Sequence, residues 1–185
     1  LSSSSAASDV YKRQVFDFVW CSGVLHHTKD PYEGFKIIQK SLKAKGLIFI
    51  GLYNKYGRFR TYVRQMLYKI FGRPLVMVMD PYLRSLNKDT SERKINSWIR
   101  DQYEHPVEKT HTFDEVLDWF DIHGIEFVNS IPSINGDEDN LYFNNNIIGR
   151  GTLVSRIYSQ IKMIFGRLGG EGGLFIMIGK KTKKN

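Results

Sequence analysis

The sequence predicts an α/β fold built on a doubly wound, parallel sheet. Two short apolar runs, residues 16–21 and 47–52, flank a helical segment of about a dozen residues. Strand, helix and strand in this order are typical of parallel strands joined by a right-handed crossover. The chain has 185 residues, of which 42% are hydrophobic and 14% aromatic, which is sufficient for one domain with a folded core. No apolar run reaches the ~18–20 residues of a membrane-spanning helix.

The helix between the two strands has clear start and stop signals. Asp30 can cap its N-terminus, Pro31 suits its first position, and Glu33 can complete a capping box. Gly46 is expected to end the helix, and both flanking strands are expected to be buried. The apolar residues that share one helix face are Phe35, Ile38 and Leu42.

The rest of the chain alternates helices, loops and strands. A second capping box at residues 112–115 predicts a helix that ends at Gly124. Two other helices, 57–72 and 152–166, are amphipathic and basic, and we expect each to pack its apolar face over the sheet. The alternative is that they lie on a membrane surface or admit a lipid-like acceptor. The remaining predicted elements are a helix around 91–103, strands at 125–131 and 173–179, and a loop at 133–151.

Charge and cysteine content limit the possible partners and location. The chain carries 27 lysine and arginine residues against 19 aspartate and glutamate residues, a formal net charge of +8. Four of these charges belong to a basic tail, residues 180–185, and one belongs to residues 1–14, which leaves +3 for the residues between them. So small an excess argues against nucleic acid as a partner. Cys21 is the only cysteine, which excludes a disulfide framework and predicts a reducing, cytoplasmic compartment.

The first fourteen residues differ in character from the rest. Residues 1–14 are rich in serine and alanine and lack the apolar period of a helix or strand. They resemble the translated adapter sequence that contaminates open reading frames taken from sequencing reads. We therefore expect this segment to be non-native, and the natural chain to enter near Val15, already in mid-domain.

Residues 16–54 resemble the second half of a class I S-adenosylmethionine-dependent methyltransferase. The FD-x-V pattern of that family's fourth strand is matched by Phe16, Asp17 and Val19. The loop 22–27, a helix begun by Asp-Pro and a turn at 42–46 then follow in the family's order. The turn departs slightly from the family's LKPGG type.

The later elements extend this resemblance in outline. The capped helix after residue 112 matches the family's last helix, and the strands at 125–131 and 173–179 match its closing β-hairpin. The resemblance therefore implies that residues 15–179 are the C-terminal part of one Rossmann-like domain with an antiparallel terminal strand. It also implies a helical insertion at about 57–110, a loop and helix insertion at about 132–172, and S-adenosylmethionine as the cofactor.

One part of the family's cofactor signature is absent from this sequence. The family has a glycine-rich loop after its first strand and an acidic residue at the end of its second. The only dense glycine cluster here, residues 169–173, precedes a strand instead of opening a helix. We therefore expect that the first half of the domain is missing, and that this fragment binds the cofactor poorly or not at all.

The candidate site follows from the rule that ligands bind outside the carboxyl ends of the strands in an open parallel sheet. The segments that follow the first two strands, 22–27 and 53–58, are both expected to face the reaction centre. Gly23 would let the backbone approach the cofactor, and Ser22 could hold the cofactor's amino-acid end. The residues predicted to contact the cofactor are Ser22, Gly23, Val24, Leu25 and His26. Those predicted to contact the substrate are Tyr53, Asn54, Tyr56 and Arg58.

Several of these side chains have more than one interpretation. His27 is a candidate general base, and the alternative is that one of the two rings, His26 or His27, packs or caps locally. A metal site formed by these two histidines with Cys21 is a weaker hypothesis, because their spacing is not that of a closed zinc site. Arg58 could clamp an anionic group of the substrate or be a solvated arginine at a helix start.

The stretch between the second strand and the last helix is where methyltransferases of this class often insert a substrate cover. His105 and His111 lie in this stretch, and a surface loop is the simpler interpretation for both.

The resemblance implies a parent enzyme that transfers a methyl group from S-adenosylmethionine to an oxygen, nitrogen or carbon atom of a small molecule. Such a transfer is an in-line displacement, so positioning and exclusion of water are expected to supply most of the catalysis. Two alternatives remain: an RNA acceptor, or a non-catalytic module on the same fold that binds a membrane or a partner through its basic helices.

Overall fold

The computed structural model of the protein describes residues 16–87, 89–104, 108–136, 149–165 and 173–182. Residues 1–14, His105 and the glycines at 169–172 lie outside these ranges. The described residues form one sheet of four strands in the order β1-β2-β4-β3. Strand β1 is parallel to β2, whereas β4 is antiparallel to both of its neighbours. The predicted α/β fold with an antiparallel terminal strand is confirmed. The strands are β1 (Phe16–Ser22), β2 (Leu42–Tyr53), β3 (Ile125–Ile131) and β4 (Leu174–Lys181).

Seven α-helices connect and flank the described strands. A short 3-10 turn, Leu25–His27, follows β1, and a π-helical turn, Arg100–Glu104, extends the fifth helix. Helices α2 to α5 lie between β2 and the segment that leads to α6, so the predicted helical insertion is present as four helices. The helices are α1 (Pro31–Lys40), α2 (Phe59–Phe71), α3 (Arg73–Met79), α4 (Pro81–Ser85), α5 (Glu92–Ile99), α6 (Phe113–Ile122) and α7 (Leu153–Phe165).

Helix α1 begins as predicted but ends earlier. Asp30 caps it by accepting a hydrogen bond from the backbone N–H of Glu33, with Pro31 at the first position. The Glu33 carboxylate accepts from Lys36 instead of returning to the cap. The helix stops at Lys40, and the predicted stop, Gly46, lies within β2, because the chain enters the strand already at Leu42.

Helix α6 carries the second capping box in full. The Thr112 side chain accepts from the Glu115 backbone N–H, and the Glu115 carboxylate accepts from the Thr112 N–H. The helix ends at Ile122, followed by Gly124 at φ +61°, a conformation that glycine adopts without strain.

The described core has two parts. The larger part joins the sheet to α1 and α6, and a second cluster holds the helical insertion together. The insertion therefore has a small core of its own beside the sheet. Central members of the first core are Phe35, Ile48, Ile50, Phe120, Phe127 and Phe175, and those of the second are Val76, Leu83, Ile95, Ile99 and Tyr103.

The prediction that β1 is a buried strand is wrong for one of its faces. Phe16, Phe18 and Trp20 alternate along the strand and are all exposed. Trp20 stacks on Phe49 of β2, with ring centroids 5.2 Å apart. These side chains are exposed because no described helix packs extensively over this face of β1.

The two basic amphipathic helices are oriented opposite to expectation. In α2 and α7 the apolar stripe points away from the protein, and small or polar side chains face inward. Thr61 is the buried residue of α2, while Ser159 and Gln160 of α7 are buried with Met163. The prediction that these helices pack their apolar faces over the sheet is therefore wrong.

The first two residues of the predicted basic tail, 180 and 181, belong to strand β4. Strand β4 continues to Lys181, whose side chain is buried and donates hydrogen bonds to the backbone oxygen and side-chain oxygen of Gln39. Burial lowers the pKa of Lys181. Within the ranges given above, no helix is both long and apolar enough to cross a membrane.

Candidate functional site

The carboxyl ends of the two parallel strands lie side by side. Ser22 at the end of β1 pairs with Gly51 of β2, and the Gly23 N–H donates to the Gly51 oxygen at 3.2 Å. Gly23 has φ +77°, and no heavy atom lies within 4 Å of the point where a Cβ would be. Its backbone therefore borders open space at the edge of the sheet.

The residues predicted to contact the cofactor divide into two groups. Gly23 and Val24 are exposed, and Ser22 is half-buried against Gly51. Leu25 and His26 are buried, and Leu25 packs close to Gly34 of α1. The accessible surface at this strand end is therefore formed by residues 22–24.

Tyr53 lies between two other side chains predicted for the site. Its ring centroid is 3.9 Å from that of His26 and 3.9 Å from the guanidinium carbon of Arg58. Two groups at this distance cannot share one face of the ring, so Tyr53 is held between them. Burial raises the pKa of Tyr53, and the neighbouring Arg58 charge acts in the opposite direction.

Arg58 is fully buried, contrary to the prediction of a solvated arginine or an open anion clamp. Its Nε donates to Oε1 of Glu108 at 2.8 Å, and its Nη2 donates to Oε2 at 2.5 Å. A further donor, Nη1, reaches Gln102 at 3.0 Å. Burial acts to lower the pKa of Arg58, but the hydrogen bond and charge of Glu108 raise it above its usual value. This guanidinium is occupied by protein groups, which favours a positioning role for Arg58.

The segment 108–111 closes over the strand ends. The Lys109 N–H donates to the His26 oxygen at 2.9 Å, and the His111 N–H donates to the Tyr53 oxygen at 2.9 Å. In return, the Lys55 N–H donates to the His111 oxygen at 3.0 Å. This segment therefore joins the 3-10 turn to the end of β2.

His111 is buried, so the prediction that it lies in a surface loop is wrong. Its Nδ1 is 3.5 Å from Oε2 of Glu115, and its ring meets Trp119 edge to face at 5.1 Å. Burial lowers the pKa of His111, and the Glu115 carboxylate opposes this shift. The His111 imidazole therefore packs inside the protein, next to the candidate site.

Asn54, predicted to orient substrate, is fully buried and links several elements. Its Oδ1 accepts from the N–H groups of Tyr56 and Gly57, at 2.9 and 3.1 Å. Its Nδ2 donates to Oε1 of Gln160 at 2.9 Å, and the same oxygen accepts from the Phe113 N–H at 3.0 Å. Asn54 therefore fixes the turn that presents Tyr56, which remains exposed.

Two glycines allow β4 to approach the start of α2. A Cβ on Gly173 would lie 2.5 Å from the carbonyl carbon of Gly57, and a Cβ on Gly57 would lie 2.8 Å from the Gly173 Cα. The Asn54 N–H also donates to the Gly173 oxygen at 2.7 Å. Gly173 is the last residue of the predicted glycine cluster. Its lack of a side chain allows the backbones of residues 57 and 173 to pack closely.

His27, the candidate base, is half-buried in the 3-10 turn. Its ring lies 4.3 Å from that of His26 and 5.9 Å from that of Tyr53. Cys21 is half-buried, and burial raises the pKa of its thiol. In the described parts of the chain, no group of three or more His, Cys, Asp or Glu side chains is placed to hold a metal ion.

Glu108, Gln102 and Gln160 are the site residues that the sequence analysis missed. All three are polar partners of predicted residues and come from distant parts of the chain. The sequence marks none of them, since Gln160 lies in a helix that also carries the uncharged polar residues Ser155 and Ser159.

Comparison with known proteins identifies the type of fold. A family model described as a methyltransferase domain matches residues 4–50, and so begins within the segment 1–14. An uncharacterized protein of Synechococcus is 25% identical in an alignment 133 positions long that covers 61% of this chain and 31% of that protein. PKMT2 of Rickettsia typhi superposes with a TM-score of 0.61 at 12% identity, covering 92% of this chain and 36% of PKMT2. The same protein in complex with AdoHcy gives 0.58, covering 94% and 37%.

These matches confirm the predicted resemblance to class I methyltransferases and the methyltransferase-like fold. The cofactor that they indicate is S-adenosylmethionine, as predicted. The chain spans about a third of the length of the relatives it matches.

The residues present at the strand ends fit one side of such a cofactor. Gly23 offers accessible backbone with open space above it, and Ser22 lies beside it at the sheet edge. Among the described residues, no glycine-rich loop follows a strand and opens a helix. The described chain therefore offers an accessible strand end beside which a cofactor could bind.

Proposed function

We propose that this chain is the C-terminal part of an S-adenosylmethionine-dependent methyltransferase that acts on a small-molecule oxygen, nitrogen or carbon atom in the cytoplasm. The observation that carries the proposal is the accessible strand end at residues 22–24, at the carboxyl end of the parallel pair β1–β2 and near Tyr53 and His27. Ligands bind at this edge in open α/β sheets. The charge of +3 outside the two chain ends favours a small molecule over RNA.

In this mechanism the cofactor supplies an electrophilic methyl group when it is bound. The protein positions the reactants and excludes water from them. The Gly23 backbone and the Ser22 side chain would hold the cofactor on one side. Tyr53 is held rigidly by His26 and Arg58, and the exposed Tyr56 faces the acceptor. Asn54 and Arg58 act by fixing Tyr56 and Tyr53 in place. Rigid alignment of this kind is the main source of rate enhancement for an in-line transfer.

We also propose that the remaining cofactor contacts come from a longer parent protein. The isolated 185-residue chain is expected to bind S-adenosylhomocysteine weakly or not at all by calorimetry, whereas the parent binds it and transfers labelled methyl groups to small-molecule acceptors. The coding sequence upstream of Val15 provides a second test: it should encode a glycine-rich loop with an acidic residue about twenty positions later. A parent that lacks this loop and does not bind the cofactor would overturn the proposal.

Substituting Gly23 tests the proposed contact with the cofactor directly. Gly23→Val in the parent is expected to weaken S-adenosylhomocysteine binding about tenfold, because the new side chain occupies the open space above the strand end. Gly72→Val is the matched control, since Gly72 has a similar φ of +71° and its nearest neighbour to a Cβ is 3.9 Å away. Both variants suffer similar backbone strain, so thermal melting should be lowered equally. Equal loss of binding in the two variants would argue against a contact at Gly23.

His27→Ala in the parent tests the base hypothesis. A general base contributes roughly 100-fold or more to turnover, so kcat should fall by about that factor while the dissociation constant of the cofactor stays nearly constant. His123→Ala is the control, because His123 packs against Tyr32 and Gln39. An unchanged kcat in His27→Ala would remove His27 from the mechanism.

The second candidate function is a non-catalytic module that uses the same fold to bind a membrane or a partner. The outward apolar faces of α2 and α7 favour it. The two functions are separated by the parent's cofactor binding, which the module does not require.

A further inference from the structure

Helix α2 presents an exposed apolar surface that faces away from the rest of the described fold. Five of its residues, from 36% to 65% exposed, recur every three or four positions and so form one stripe along the helix. A contiguous exposed apolar stripe on a folded domain marks an interaction surface. We call this stripe the outer face of α2; its members are Phe59, Tyr62, Val63, Met66 and Ile70.

The opposite side of α2 is fixed to the protein by polar and aromatic contacts. The Gln65 amide donates to the Gln102 oxygen at 2.9 Å, and the Tyr68 hydroxyl donates to Glu104 at 2.5 Å. The Tyr68 ring also packs against Tyr103, with centroids 5.5 Å apart. Rotating the apolar stripe inward would break all of these contacts, so the outward orientation is built into the fold.

The charges on the α2 segment itself have a single sign. Residues 55–79 include six lysines and arginines and no aspartate or glutamate. Arg58 and Arg73 are paired with glutamates elsewhere in the fold. Arg60 and Lys69 lie on the flanks of the stripe, and no described residue forms an ion pair with either. The outer face is therefore an apolar stripe with a basic border.

We propose that the outer face of α2 binds an anionic lipid surface. A helix with an apolar face and a basic border lies in the membrane interface, where the apolar side chains enter the headgroup boundary and the basic ones contact anionic headgroups. A second copy of the chain is a poorer occupant, because it would bring the same basic border against itself.

Helix α7 repeats the arrangement with less free charge. Leu153, Val154 and Phe165 are exposed, while Gln160 faces inward to Asn54. Its flanking arginines are already neutralised, because Arg150 pairs with Asp121 and Arg156 with Asp114. We therefore expect α7 to add apolar contact and α2 to supply the preference for anionic lipid.

Vesicle co-sedimentation of the 185-residue chain tests this inference without any cofactor. The chain should sediment with vesicles of phosphatidylcholine and phosphatidylglycerol in equal parts, much less with phosphatidylcholine alone, and less as salt is raised. Ile70→Glu should weaken binding to the mixed vesicles at least about tenfold. Ile37→Glu is the matched control, because Ile37 on α1 is 67% exposed against 65% for Ile70, and it should bind within about twofold of the original chain. Circular dichroism verifies that all three proteins fold alike.

The inference is overturned if the original chain does not sediment with the mixed vesicles at low salt, or if both substitutions weaken binding equally. It is also overturned if the chain is a dimer that Ile70→Glu converts to a monomer, with no vesicle binding in either form. Because none of these measurements involves methyl transfer, failure here leaves the proposed enzyme activity unaffected.

Discussion

Glu108→Gln is expected to lower the free energy of unfolding by about 3 kcal/mol, because it removes the charge of the carboxylate that accepts two hydrogen bonds from the buried Arg58. Arg58 and Glu108 form two hydrogen bonds, and their side chains are 1% and 8% exposed. The guanidinium is buried, so hydration cannot replace the favourable interaction with the carboxylate that the substitution removes. Urea denaturation monitored by tryptophan fluorescence measures the change.

Glu92→Gln is the matched control for this prediction. Glu92 forms a similar ion pair with Arg73, but on the surface, with side chains 71% and 41% exposed. Exposed pairs contribute between zero and about 1 kcal/mol, so this variant should unfold almost like the original chain. Equal losses in the two variants would show that Arg58 finds another counter-charge or is hydrated.

Gly173→Ala is expected to destabilise the fold by about 3 to 4 kcal/mol, through two separate effects. Gly173 has φ +95°, where an L side chain is strained by about 1–2 kcal/mol. The added methyl group would also meet the backbone of Gly57 and Arg58 at 2.5 and 2.7 Å, and overpacking of this kind costs a further 1–3 kcal/mol or so. Because backbone atoms cannot move aside as a side chain can, β4 and the start of α2 must separate.

Gly124→Ala isolates the backbone part of this effect. Gly124 also has a positive φ, +61°, but the nearest atom to its Cβ position is 3.9 Å away. This variant should lose only about 1 kcal/mol in the same denaturation experiment. If Gly173→Ala lost no more than Gly124→Ala, the close approach of Gly57 would not matter to stability.

Local patterns were sufficient to predict the parallel βαβ unit. Asp30, Pro31 and the box at Thr112 and Glu115 act within one turn of their own helix, so they can be recognised without knowing the fold. The burial of β1 could not be predicted in the same way. Whether Trp20 is covered depends on which elements lie beside β1, and that is a property of the whole sheet.

The orientation of the amphipathic helices could not be predicted from local patterns either. The spacing of Phe59, Met66 and Ile70 establishes that they share one side of α2, but not that this side faces outward. That orientation depends on the polar contacts of Gln65 and Tyr68 with the turn at 100–104, which are distant in sequence.

The part of the candidate site that could be predicted from the sequence is the part that depends only on the order of the strands. The carboxyl ends of parallel strands share one edge, so the proximity of Gly23 and Tyr53 follows from the strand order. The partners that hold these residues do not follow from it. Glu108 is 50 residues from Arg58, and Gln160 is 106 residues from Asn54, so no local spacing connects them.

The strand order has a consequence for the synthesis of the protein. Strand β4 comes last along the described chain, yet it lies between β2 and β3 and pairs with both, joining Leu47 to Lys180. On the ribosome, β2 and β3 therefore emerge without their shared neighbour. Their backbone N–H and C=O groups on that side stay unpaired until residue 181 has left the exit tunnel. Such long-range pairing folds slowly and exposes strand edges to aggregation meanwhile. We therefore expect the nascent chain to be prone to aggregation until β4 pairs with both neighbours.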